Sequence, residues 1–309
     1  MDIARLRKGS GPTVRRMLLG HELRSRREQR GISREDAGAR IRASASKISR
    51  MELGRVGFKL RDIEDLLKLY GTDRRTIKEM LEVAKESNKP GWWKEFGESL
   101  HKWLTHYIGF EEAADQIRIY ESQFIPGLLQ TEEYAREIIF SGVDAADTVA
   151  EQRLAARLKR QKRVETDAKM RMWVILDEAA VRRPIGVTTK GLGVMRRQIE
   201  HLVRLSTEKD NITIQIIPFS VGAHAAEAGS FTLLRYSDYE LADMVYLEQL
   251  HDGELNDRPG VVEAYTKAMT RLSVSAATPD ESLEMLRSIL KDFSGGPDGE
   301  PDEDAADRD

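Results

Sequence analysis

The sequence predicts an all-α head followed by a larger α+β (mixed) body, and three observations carry that reading. Residues 14–88 place apolar side chains at helical spacing, punctuated by capping residues and short turns. Further along, β-branched runs such as 212–219 alternate with helical periods. Charge divides the chain in the same way: residues 1–90 hold 23 lysines and arginines against 13 carboxylates, and the remainder holds 26 against 39. The net charge of −3 therefore conceals a basic head suited to phosphates and an acidic body that discourages indiscriminate sticking. A chain of 309 residues is long enough for about two domains.

The head reads as follows. Residues 1–13 form a polar arm in which Arg5, Arg7 and Lys8 either reach a minor groove or have no fixed partner. From Val14, the apolar residues Met17, Leu18, Leu19 and Leu23 make a first helix. The stretch GISREDAGARIRASASKISRMELG, Gly31 to Gly54, then reads as two short helices joined by a tight turn. Ser33 is the N-cap of a helix over 34–41 and Ser44 caps the next, each hydroxyl accepting a backbone N–H left unpaired in the first turn. Ala37, Ile41, Ile48 and Met51 face inward, which turns Ala45, Ser46, Lys47, Ser49 and Arg50 outward. A short-chained, basic face at a helix N-terminus suits a DNA major groove. Two more helices, 60–70 and 72–87, offer Ile63, Leu66, Leu67, Leu69, Ile77, Leu81 and Val83 to a core. The string NKPG, 88–91, breaks the pattern, so the head is assigned to 14–88 and the body to 89–293.

The body opens on an aromatic-rich segment with three of the four tryptophans, read as core. A strand follows at 116–122, and Thr131 caps a helix whose positive end meets Glu132 and Glu133. An Arg-rich helix spans 150–164, its basic face read as solvated, with DNA or an acidic partner as the other reading. Strands are expected at 172–176, 212–219, 231–236 and 244–250, and helices at 194–205, 258–273 and 279–292. The tail, 294–309, carries seven carboxylates and no large apolar residue, and is read as disordered. It serves solubility or mimics DNA.

Several classes of function are disfavoured. No run approaches 18 apolar residues and the start lacks the apolar core of a secretory signal, so a cytoplasmic, non-membrane protein is expected. Zero cysteines exclude disulfides, thiolate metal sites and a cysteine nucleophile. No GxSxG, Walker, HExxH or GxGxxG motif is present. His101 and His106 are five apart, which does not stack two imidazoles on one helical face. Asp177 and Glu178 are adjacent and diverge instead of forming a dyad. The string IIPFSVGAHAAE places Ser220, His224 and Glu227 near a strand end, but His224 is read as a loop histidine satisfied by backbone. The same loop could line an effector pocket walled by Trp173, His224, Phe231 and Tyr246. No enzyme activity, cofactor or metal is expected.

LGHELRSRREQRGIS followed by SASKISRMELG resembles the xenobiotic-response-element type of helix-turn-helix, the class of the phage lambda and 434 repressors. The resemblance implies a lambda-repressor-like fold with a recognition helix at 44–52. It points to Ala45, Ser46 and Arg50 as base contacts, with Arg34, Arg42, Lys47 and Arg55 on phosphates. Two positions depart from the pattern. Gly38 stands where the family usually has alanine, and Arg42 where it has the turn glycine; a positive φ at Arg42 would cost about 1 kcal/mol. PGWW, PGLLQTEEYAR, LDEAAVRRPIG, IIPFSVGAH and VYLEQLHDG extend the likeness. Together with the head they resemble actinomycete transcriptional regulators that join this motif to a C-terminal domain of unknown function. That family is often encoded beside a small partner protein in an antitoxin-like arrangement. The resemblance implies double-stranded DNA, a small protein partner encoded nearby and a homodimer. The alternative is an antitoxin-like protein that chiefly holds the small partner and binds DNA for autoregulation.

Overall fold

A computed structural model describes residues 11–142, 146–186, 192–237 and 241–294. Most of the N-terminal arm and nearly all of the acidic tail lie outside these residues. The described residues form two compact units, one reaching to residue 115 and including those of 234–244 and 251–257, the other made of those of 116–233, 245–250 and from 258 onward.

Five helices build the start of the first unit: α1 (Pro12–Gln29), α2 (Arg34–Arg40), α3 (Ala45–Glu52), α4 (Leu60–Leu69) and α5 (Arg74–Ser87). Their boundaries follow local chemistry. Pro12 occupies the first turn of α1, where its missing N–H costs nothing. Ser33, Ser44 and Asp73 accept from the backbone N–H of Asp36, Lys47 and Thr76, closing the starts of α2, α3 and α5. Leu19, Leu23, Ala37, Ile48, Met51, Ile63, Leu66, Leu67 and Met80 merge into one buried cluster. Leu69, expected in that core, is 38% exposed, because it falls on the outer side of the α4 stripe set by Ile63, Leu66 and Leu67.

After α5 the chain makes a 3-10 turn over Trp92–Ser99 and enters α6 (Lys102–Ala113), a helix that the sequence reading did not assign. Trp93 is buried, whereas Trp92 and Trp103 are only partly so. In the second unit, β1 (Gln116–Glu121) leads to α7 (Glu132–Ile139), capped by the Thr131 hydroxyl, and to α8 (Thr148–Thr166). Next come β2 (Arg171–Asp177), the short α9 (Glu178–Arg182), α10 (Gly193–Glu208) and β3 (Ile212–Ile217). β4 (Phe231–Arg235), β5 (Met244–Glu248), β6 (Gly253–Asn256), which falls in the first unit, α11 (Pro259–Ser275) and α12 (Pro279–Ser294) complete the order along the chain. The open sheet runs β3-β2-β1-β4-β5-β6. β1, β2 and β3 are parallel, with Gln116 opposite Arg171 and Met172 opposite Ile212.

β2 and β3 are buried along most of both faces, in keeping with their largely apolar runs, whereas β1 alternates, with Gln116 and Arg118 half-buried. Tyr120, Ile175 and Ile217 pack with Phe231, Val245, Met269 and Leu272, so α11 covers one side. Val174 and Ile216 alternate to the other side and are equally buried, where α10 and α12 pack together and α12 meets β3. The Arg-rich helix α8 is more than a solvated face. The Arg157 guanidinium donates to Gln130 Oε1, and Gln161 donates to the carbonyls of Gly127 and Gln130. Burial lowers the Arg157 pKa to about 10.

Candidate nucleic-acid interface

The turn between α2 and α3 is set by backbone sterics. Arg42 is the only non-glycine residue with positive φ among those described, at 53°, as its place in the motif anticipates. Gly38 also has a packing reason: a Cβ there would stand 2.5 Å from the Ala43 carbonyl oxygen. In α1, a Cβ on Gly20 would stand 2.5 Å from the Met51 carbonyl oxygen, so glycine lets α1 pass close to the end of α3.

Those contacts fix which face of α3 looks outward. Ile48 and Met51 are buried, Ser46 and Arg50 are exposed, and Ala45 and Lys47 are half-buried. No carboxylate sits in the first turn of α3, so the partial positive charge of its N-terminus is not neutralised locally. Among the described residues, no ion pair engages Arg50 or Arg42. The other three basic candidates have partners. Arg34 Nε donates to Glu52 Oε2 at 3.1 Å, Lys47 Nζ to Asp62 Oδ2 at 2.6 Å, and Arg55 pairs with Asp257.

Beneath this face lies a pair that sequence reasoning missed. Arg27 holds Glu52 through two nitrogens, with Nη2 3.0 Å from Oε2, and donates a third bond to the Ile32 carbonyl. The Glu52 side chain is 2% exposed. The Glu52 hydrogen bond raises the Arg27 pKa above its ordinary value despite burial. The signal was present in the helical spacing: Glu52 stands at i+4 from Ile48 and Arg27 at i+4 from Leu23, both inward positions.

The second unit gathers some of the residues expected around an effector pocket. Tyr120 stands between His224 and Phe231, with ring centroids 5.5 and 6.0 Å away. His224 Nδ1 accepts from the Ala226 N–H, which leaves the proton on Nε2, 3.2 Å from the Tyr120 hydroxyl and 3.7 Å from Asp177 Oδ2. Asp177 caps α9 through the Ala179 N–H, and Glu178 engages Arg182 and the Phe219 N–H, so the two carboxylates serve separate structural roles. Trp173 packs at the margin of the same cluster and donates to Gln215 Oε1. Tyr246 follows the cluster residue Val245 along β5 and so turns to the opposite face, where its hydroxyl donates to Glu248. Among the described residues, no three of His, Asp and Glu are grouped to hold a metal ion, and no helix is long and apolar enough to cross a membrane.

Two capped helices at a tight turn, with an outward basic face, define a helix-turn-helix head, and residues 18–80 match a family described as a helix-turn-helix domain. Residues 104–288 match the domain of unknown function DUF5753, and the chain belongs to that family. No curated protein and no solved structure matches it.

Proposed function

We propose that this protein is a sequence-specific, DNA-binding transcriptional regulator of the xenobiotic-response-element class, acting in the cytoplasm. The observation that carries this reading is the outer face of α3, where exposed Ser46 and Arg50 stand beside a capped N-terminus without a local carboxylate. In this reading 44–52 enters the major groove. Arg50 pairs bidentately with guanine, Ser46 makes a single bond and Ala45 meets a thymine methyl. Arg42, Arg34, Lys47 and Arg55 contact phosphates and set the register. Residues 14–88 form the reading head, 1–13 an arm, 89–293 a body that dimerises, senses an effector or holds a small partner protein, and 294–309 an acidic tail. A two-fold dimer would place operator half-sites about 34 Å apart, or a multiple of that.

The test is genome-wide binding of the purified protein to fragmented DNA of its own organism at two salt concentrations, beside Arg50→Ala. A short palindrome enriched by the native protein alone supports the reading. Uniform, salt-sensitive enrichment by both proteins would overturn it and favour the antitoxin-like alternative, with DNA contact secondary to holding a partner.

A further inference from the structure

The first unit contains a cleft of about 720 Å³ between the helix-turn-helix residues and the segment 88–110. That volume suits a small organic molecule. Its walls combine Arg16, Arg55, Lys89 and Lys94 with the apolar surfaces of Trp93 and Phe110, and the one carboxylate lining it is Glu98. Two of the cations are already matched, Arg55 by Asp257 and Lys89 by Glu86. Arg16 is not. Its Nη2 donates to the Ser87 carbonyl at 3.1 Å, its Nε is buried without an acceptor, and no carboxylate pairs with it among the described residues. Burial lowers the Arg16 pKa. The His106 pKa is lowered as well, by desolvation and by the Arg16 guanidinium. A half-buried guanidinium without a carboxylate partner among the described residues, at the wall of an open space with an aromatic side, is a recognition element for an anion.

We propose that this cleft binds a small organic anion, a flat apolar body bearing a carboxylate, sulfonate or phosphate, with Arg16 and Lys94 on the acid group and Trp93 against the body. The cleft also touches the end of the recognition helix. Gly54 and Arg55 line it, Gly54 has a φ of 66°, and a Cβ there would stand 2.7 Å from the Met17 Cα in α1. The Arg55 N–H donates to the Arg50 carbonyl at 2.9 Å. A ligand seated here therefore presses on the segment that closes α3, and its occupancy changes affinity for DNA. The coupling rests on the DNA-binding reading above; the site itself does not.

The full chain should be titrated with 8-anilinonaphthalene-1-sulfonate, using the uncharged N-phenyl-1-naphthylamine as control and thermal melting to verify folding. The expected result is saturable one-to-one binding of the sulfonate, weakened about tenfold or more by Arg16→Gln. The neutral amine should show no saturable binding. Lys94→Gln, at an exposed position, should weaken binding about threefold with the melting temperature unchanged, so the test survives if Arg16→Gln fails to fold. Equal binding by native and Lys94→Gln proteins, or equal affinity for the neutral amine, would overturn the site. Saturating sulfonate that leaves DNA affinity unchanged would overturn the coupling. A native chain that binds the sulfonate but enriches no DNA sequence would overturn the DNA reading and leave the site standing.

Discussion

Arg50 and Arg42 are both long, exposed and basic, yet the proposed function gives them different relations to DNA. Arg50 lies on the outward face of α3 beside Ser46, so Arg50→Ala should flatten sequence preference and cost about 1–3 kcal/mol on the preferred site, read by competition binding. Arg42 sits in the turn, where its backbone holds a positive φ of 53°. Arg42→Ala should weaken all DNA alike and lower the salt slope by about one unit. Arg42→Gly should show the same DNA defect yet raise folding stability by about 1 kcal/mol in thermal melts, because glycine relieves the left-handed strain. A glycine variant that melts below the native protein would show that this backbone is not strained. The caps and the outward positions of single residues were largely legible, because both are local. Ser33 and Ser44 announce themselves by type and place, and both hydroxyls receive the expected N–H.

Contacts between elements depend on residues far apart in sequence, and there the sequence was less transparent. Glu52 is buried at the end of α3 and is held by Arg27 from α1 and Arg34 from α2, so one carboxylate ties three helices together. Arg27→Ala should destabilise the head by about 3–5 kcal/mol, since it leaves a buried charge without its main partner. The double substitution Arg27→Met with Glu52→Leu should recover most of that loss in chemical denaturation, because no buried charge is left unpaired; Arg34, which also loses Glu52, is exposed enough to be hydrated. A double variant as unstable as the single one would mean that the pair supplies more than charge balance. The separation of 25 residues hid this pair, although the inward spacing of each member was visible. Helix α6 was missed because aromatic residues crowd the segment before and within it, masking a helical period. β6 is four residues long and carries polar side chains, too little to register as a strand, and strand order depends on pairings that no local pattern encodes.

At the scale of the whole molecule, pH and salt act through groups dispersed over the chain. Burial, reinforced by the Glu248 carboxylate, raises the Glu121 pKa to about 7 against an ordinary value of 4.5, even though a Ser230 hydrogen bond works the other way. Between those two values the folded chain keeps a proton that the unfolded chain has released. Stability should therefore fall as pH rises from about 4.5 to 7, by roughly 3 kcal/mol, and level off above that. Denaturant midpoints measured across this range should lose that slope in Glu121→Gln; an unchanged slope would assign it to another group. The ion pairs of the head have a different consequence. Arg34, Lys47 and Arg55 each rest on a carboxylate of their own unit, so under the proposed function a DNA phosphate would have to displace an internal rival before it gains a cation. Fewer bound salt ions are then set free per contact than the tally of arginines and lysines suggests. If the proposed function holds, such a head would linger briefly on random DNA and be retained only where base contacts add to the exchange, the paired acids acting as a tethered electrolyte that filters out casual encounters.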